Sequence, residues 1–380
     1  RARAGLARQW IDDLEKRSMN FNLSDEQSML VASCEKLVKS RCTFDARREQ
    51  ARQLPQAWPA LWADLAELGL TGIQVSEDMG GSDRPLIDAV LVAQALGRGW
   101  LLEPYVDCAM AATRILELCT PDATRDTALH SIATGHKIMV PARRASWRDE
   151  TLIVEAHHAC YADGVLTLMD DQLLLGLTAG GRKVCWRQFD GTPAGRVRCA
   201  TSAVYTLAEG DAARAAWRAG DHAARIGRIA EGVGLAKAIL AITADYLGTR
   251  KQFGQPIGRV QALAHRMVDA LMLHEQAYSL LLAAALKVGT VEGTRALDAA
   301  QVMAHRAFRC IGQEAIQLHG GIGMTDEYQI SHCVKRLLAI ELELGDVEMA
   351  LRRVALMRTR GDLSVDPLDR ATVSPDSQGH

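Results

Sequence analysis

Two short segments carry the residue types that could hold a phosphorylated, flat ligand. The first is Arg250-Lys251-Gln252-Phe253-Gly254-Gln255-Pro256-Ile257, followed by Gln261 and His265. A guanidinium and an amide at a helix end, beside an aromatic ring, suit a phosphate and a flat heterocycle. The second is Gln317-Leu318-His319-Gly320-Gly321-Ile322-Gly323-Met324-Thr325-Asp326-Glu327-Tyr328. Gly320, Gly321 and Gly323 let backbone N–H groups approach a ligand closely, and a helix is expected from about Thr325. By spacing alone the plainer reading leads for each segment. Arg250 complements a helix C-terminus ahead of a Gly-Gln-Pro turn, and the glycines make a C-cap and loop.

Other chemistry is sparse. The sequence holds no hydrolase triad, metal-ligand cluster or Walker loop, so no metal is expected. Gly232-Val233-Gly234 has two glycines of a dinucleotide fingerprint but neither a preceding strand nor the third glycine, which predicts close helix packing. His157-His158 is an isolated pair and reads as structural.

The elements that must position these residues fall into three parts. Residues 19–129 read as helical, opening on a Ser24…Gln27 capping box. Apolar periodicity continues at 61–70 and 86–96, with a Gly-rich loop at 79–83 between them. Residues 130–218 carry short apolar runs at 152–154, 165–169, 173–175 and 197–199, which suggest a small β-barrel or sandwich. Residues 219–362 hold long, Pro-poor helical stretches whose broad apolar faces predict an antiparallel helical bundle. The stretches at 263–286 and 294–319 carry more apolar surface than one bundle seam needs, so a dimer or tetramer is expected. The fold class is therefore mainly α with a small β domain.

Composition bounds the rest. With 380 residues, 48% of them hydrophobic and only 5% aromatic, the chain suits two or three domains buried by aliphatic side chains. Its formal charge of −2 argues against a nucleic-acid partner, and no apolar run is long enough for a membrane span. The nine cysteines form no CxxC pair and read as reduced, buried thiols in a cytosolic protein. Residues 1–18 read as an upstream extension ahead of Met19, and 363–380 as a disordered tail.

Together and in this order, the two segments resemble the acyl-CoA dehydrogenase family. They match its R-x-x-F-G-x-x-I…Q…H and Q-x-x-G-G-x-G…E-Y patterns, and GLTGIQVSEDMGGSD at 69–83 is similar to the family's G-L-x-G-I-x-x-P-E-x-x-G-G. The resemblance covers roughly residues 20–129 and 219–360. It implies a helical domain, a middle β domain and a four-helix bundle, with FAD as cofactor and an acyl-CoA thioester as substrate. It also implies that Arg250, Gln252, Phe253, Gln317, Gly320 and Gly321 clamp the FAD held by a neighbouring subunit. In the family reaction a Glu removes the α-proton while the β-hydrogen leaves as hydride to the flavin.

The pattern breaks where that Glu belongs. The usual position falls on Leu344, before Gly345, and the alternative one on Ala224; neither can take a proton. Arg225 stands where the family has an active-site Arg, and reads equally as a solvated helix residue. Glu343 and Glu341 are the carboxylates nearest to Leu344, and both read as a solvated helix face. The family's T-E-P-x-A-G-S-D is replaced by Pro141-Ala142-Arg143-Arg144-Ala145-Ser146-Trp147-Arg148-Asp149, and its W-I-T-N-G strand finds no counterpart at 166–175. The half of the site supplied to a neighbour is kept, and the half used in place is eroded. The expectation is therefore the non-base subunit of a heteromeric dehydrogenase, paired with a paralogous subunit, of the kind that acts on steroid or other bulky CoA side chains. The competing expectations are a homomeric enzyme with its base moved to Glu343 or Glu341, and a non-catalytic scaffold that kept the fold.

Overall fold

The structure, a computed structural model, describes residues 23–56, 60–252 and 254–360. The expected extension at 1–18, the tail at 363–380 and Phe253 lie outside the described residues.

The N-terminal part is helical because its start signals and apolar stripes agree. Helix α1 (Asp25–Arg41) opens on the expected capping box: Ser24 Oγ accepts from the Gln27 N–H and Gln27 Oε1 from the Ser24 N–H, both at 3.1 Å. Helices α2 (Phe44–Gln53), α3 (Ala60–Glu67) and α4 (Leu86–Gly97) follow. Every residue of α4 from Asp88 to Gly97 is buried, as its near-continuous apolar run requires. A π-helical turn (Val106–Ala112) leads into α5 (Thr113–Glu117), and α6 (Ala123–Ala133) closes the region.

The middle part is two four-stranded sheets. One is ordered β1 (Met139–Pro141), β4 (Gly164–Met169), β5 (Gln172–Leu177), β8 (Val204–Glu209), with β1 parallel to β4 and the other pairs antiparallel. The other is antiparallel throughout, in the order β2 (Arg144–Arg148), β3 (Thr151–His157), β7 (Pro193–Ala200), β6 (Lys183–Arg187). Leu152, Val154, Val197 and Cys199 bury one face of the second sheet, while Glu155, Arg196 and Arg198 turn to the other face. The sheets pack closely enough that a Cβ on Gly176 would meet Cys199 Sγ at 3.0 Å.

The reading of all nine cysteines as reduced is corrected here. Cys160 and Cys185 form a disulfide, with Cα atoms 5.6 Å apart, and the other seven are free. The antiparallel pairing of β6 with β7 sets Cys185 opposite Gly195, whose missing side chain leaves room for Cys160 beside it.

Helix α7 (Gly210–Thr249) starts inside the span read from sequence as β region and runs the length of the bundle. With it pack α8 (Gln261–Leu286), α9 (Val291–His319) and α10 (Gln329–Glu343), while α11 (Val347–Arg360) packs on α9. Gly232 and Gly234 serve close packing, as their spacing suggested. A Cβ on Gly234 would stand 1.9 Å from the Gln94 carbonyl oxygen, and one on Gly232 2.3 Å from the Phe308 ring. Helix α8 leaves Val268, Leu271 and Met272 exposed on one side. Among the described residues no helix is long and apolar enough to cross a membrane.

Candidate active site

A cavity of about 490 Å³ lies between the second sheet and the N-terminal half of α7. Ala224 and Leu344, the two positions where a base was sought, both line it. Positions 120 residues apart thus converge on one space, and neither carries a proton acceptor. Arg225 also lines it, but the solvated reading of that residue is wrong. Its guanidinium donates to Asp298 Oδ1 at 2.6 Å and to Gln301 Oε1 at 3.0 Å, and Gln301 in turn donates to the Leu344 carbonyl at 2.8 Å. Arg225 is thereby fixed to α9 beside the vacant base position.

Glu343 and Glu341 are likewise not a solvated face. Glu341 is buried and ion-paired with Arg309. Glu343 reaches the cavity with its carboxylate gripped by Arg228 Nε at 2.5 Å and Arg336 Nη1 at 2.7 Å. Burial pushes this carboxyl up, but the two guanidinium groups and His157 outweigh it and bring it down to about 2. A carboxylate so stabilised in its charged form is a weak general base near neutral pH.

These contacts belong to a buried ion network that sequence reasoning missed. Arg228 also holds Asp107 at 2.7 Å and Glu231 at 3.0 Å, while Arg336 holds Glu231 at 2.7 Å and Asp190 at 2.9 Å. His158 Nδ1 lies 2.8 Å from Asp107 Oδ2, and Gln188 Nε2 donates to His157 Nδ1 at 2.8 Å. Burial raises the Asp107 carboxyl, yet the Arg228 charge and the His158 hydrogen bond hold it well below the usual range. The network ties α7, α10, the β6–β7 loop and the π-helical turn together. Only the Arg228/Glu231 spacing hinted at it in the sequence.

The eroded segment is present as β1, β2 and the turn between them, where Arg143 is ion-paired with Asp221 of α7. The strands that border the cavity are β1 through Pro141, β2 through Arg144, β3 through Glu155, Ala156 and His157, β6 through Trp186 and β7 through Ala194, and no residue of the stretch 166–175 lines it. No serine, threonine or tyrosine lines this cavity.

The second set of predicted residues lies elsewhere. Arg250 follows the end of α7, 26 residues beyond Ala224, or roughly 39 Å along the helix axis. Its backbone donates to the Tyr246 carbonyl and accepts from the Ile257 N–H, closing a small hairpin of Lys251–Gln252 on Gln255–Pro256 around Gly254 (φ +78°). Helix α9 ends at His319, and Gly320 turns the chain at φ +65° into a short 3-10 segment; the next helix starts at Gln329 rather than near Thr325. Stacking joins the two motifs: the Tyr246 and His319 rings are 4.4 Å apart, and His319 and Tyr328 5.2 Å. Arg250, Gln252, Gln317, Gly320 and Gly321 are all exposed. Among the described residues the Arg250 side chain has no ion-pair partner, and a Cβ on Gly320 or Gly321 would meet no atom within 4 Å.

The residues fit FAD differently at the two places. The Arg250/Gln317 edge offers an unpaired cation and open backbone to a phosphate. The cavity's buried charges are paired and its lining, among the described residues, holds two indoles and no hydroxyl, which does not fit a flavin ring that needs hydrogen bonds from its own subunit.

Comparison with known proteins agrees with this layout. Residues 24–136 match the family described as acyl-CoA dehydrogenase, N-terminal domain, and residues 218–357 match acyl-CoA dehydrogenase, C-terminal domain. The chain belongs to the acyl-CoA dehydrogenase family. It is similar to acyl-CoA dehydrogenase IpdE2 of Mycobacterium tuberculosis, with 28% identity over 296 residues, 78% of this chain and 85% of that one. Among solved structures it resembles the ChsE4–ChsE5 complex from Mycobacterium tuberculosis at a TM-score of 0.80 and 20% identity, covering 90% of this chain and 99% of that one. PigA, solved with FAD and proline, matches at a TM-score of 0.75 and 21% identity, over 90% and 99% of the two chains. Both likenesses show the acyl-CoA dehydrogenase fold, including the middle β domain.

Proposed function

We propose that this acyl-CoA dehydrogenase chain is the subunit without the base in a heteromeric enzyme, completing from across an interface the FAD site of a paralogous partner. The observation that carries the reading is the convergence of Ala224 and Leu344 on one cavity whose only adjacent carboxylate on α10, Glu343, is locked between Arg228 and Arg336. Arg250, Gln252, Phe253, Gln317, Gly320 and Gly321 would hold the cofactor's phosphates and adjoining groups. FAD, when bound there, supplies the acceptor for the β-hydride of an acyl-CoA thioester. This chain positions that acceptor and offers the exposed apolar side of α8 to an oligomeric interface, while the α-proton goes to a Glu of the partner.

Two sequence features and a structural likeness support a paired assembly: the kept clamp motifs, the lost base, and the similarity to ChsE4–ChsE5, itself a complex of two named chains. A self-sufficient enzyme using Glu343 fares worse, because its carboxylate is ion-paired with Arg228 and Arg336 and held well below the usual carboxylate range.

Dye-linked dehydrogenation of an acyl-CoA series tests the reading. The chain alone should show a rate lower by about 10²–10⁴-fold than the assembly with its partner, the usual cost of a missing general base. Robust turnover by the isolated chain, abolished by Glu343→Gln, would establish the relocated base instead.

A further inference from the structure

The disulfide Cys160–Cys185 stands where two arms of the buried ion network begin. Cys160 follows His158 in the turn after β3, and His158 Nδ1 meets Asp107, the partner of Arg228. Cys185 lies in β6, on the same chain segment as Asp190, the partner of Arg336. Strand β6 is a sheet edge paired with β7 alone, and every one of its residues is exposed. Trp186, next to Cys185, lines the cavity, as does Ala194 opposite it on β7. At the end of β6, Arg187 donates to the Ala51 carbonyl at 3.2 Å and Gln188 to His157 Nδ1 at 2.8 Å. The disulfide is thus a covalent tie between the turn and the strand that together wall the cavity.

Its sulfurs differ from the other thiols of the chain. Burial pushes the thiols of Cys34, Cys108 and Cys333 up to about 12 and those of Cys42, Cys119 and Cys199 up to about 11. They stay protonated and unreactive near neutral pH. Cys185 is exposed and Cys160 half-buried, so an external thiolate meets the Cys185 sulfur first. Cys160 is then the leaving group. Lys183 Nζ donates to the Cys160 carbonyl at 3.4 Å and to the Ala162 carbonyl at 2.7 Å, which sets a positive charge beside it. A cation there stabilises a departing thiolate and speeds the exchange.

We propose that Cys160–Cys185 is a reversible thiol-exchange site at which small thiols, assisted by Lys183, release the β6 wall of the cavity. The proposal is independent of the subunit role and of the clamp at Arg250. The thiolate of a low-molecular-weight thiol bonds to the Cys185 sulfur as the Cys160–Cys185 bond breaks, and Cys160 leaves as a thiolate that takes up a proton. A second small thiolate then attacks the external sulfur of the mixed disulfide. Cys185 departs and is protonated, and the two small thiols leave as their own disulfide. Two electrons thereby pass to the protein, and the small disulfide reverses both steps. With the tie open, β6 loses its covalent hold on the turn, and the chain from Trp186 to Asp190 opens more readily.

Equilibrating the full chain with reduced and oxidised glutathione tests it. Denatured after the oxidising buffer, the chain should titrate seven thiols, and after the reducing buffer nine. Amide exchange across residues 183–190 should be about 100-fold faster in the reduced chain, the population shift that opening a loop of this length gives. Cys185→Ser should show the fast exchange in both buffers, which ties the effect to this pair. Lys183→Met should keep the count at seven in oxidising buffer while slowing reduction several-fold. Nine thiols in oxidising glutathione, equal exchange across β6 in the two states, or an unchanged reduction rate in Lys183→Met would each overturn the proposal.

Discussion

The cavity beside α7 and the edge at Arg250 use the same residue types in opposite ways. Around the cavity, Arg228 and Arg336 are buried and Arg225 is half-buried, and each of these three guanidinium groups is already matched to carboxylates or an amide. At the edge, Arg250 and the glycine backbone are exposed and unmatched. A buried charge that is fully paired holds elements together; an exposed one without a partner is available to a ligand or another subunit. On the proposed reading, this chain has turned its own site into structure while keeping its contribution to a neighbour's.

The largest expected effect breaks the structural side of that contrast. Arg336→Leu would leave Glu231, Asp190 and Glu343 sharing a buried site with one cation fewer, and should cost about 3–5 kcal/mol in denaturant unfolding. A loss below about 1 kcal/mol would show that the network is not what fixes α10 to α7.

Acid sharpens the same side. The Glu343 carboxyl falls from its ordinary value near 4.5 to about 2 in the folded chain, so its contribution to stability is present above pH 4.5 and is lost as pH falls toward 2. Glu343→Gln should flatten the stability profile across that window by up to about 3 kcal/mol. Urea midpoints measured between pH 6 and pH 2.5 would check this, and parallel profiles for the two proteins would remove Glu343 from the network.

Much of this contrast was legible in the sequence, for reasons that differ by residue. The Ser24 capping box and the Gly232/Gly234 packing are local, and each was realised as read. The edge motifs are contiguous strings whose residue types carry their own chemistry. The ion network is invisible to spacing, because Arg228 meets Asp107 across 121 residues and Arg336 meets Asp190 across 146. Glu341 and Glu343 were misread for the same cause. A charged residue at the end of an amphipathic helix looks solvated until its partner on another helix is placed. No residue of 166–175, where the family's W-I-T-N-G strand finds no counterpart, lines the cavity; which strands reach it depends on sheet order, which one strand's alternation does not show.

On the ligand side, Gln317→Ala should weaken flavin retention in the assembled enzyme by about 0.5–1.5 kcal/mol, the worth of a hydrogen bond to a neutral group. Retention measured by flavin absorbance after gel filtration would show it, and an unchanged value would remove Gln317 from the clamp.

The most direct test compares flavin absorbance of the purified assembly, this chain with its base-bearing paralogue, with and without Arg250→Ala. If Arg250 grips the phosphates of FAD across the interface, the variant should lose flavin with a penalty of about 1.5–3 kcal/mol, while the isolated chain should be colourless in both forms. An assembly that keeps its flavin fully with Arg250→Ala, or a yellow isolated chain, would contradict the account.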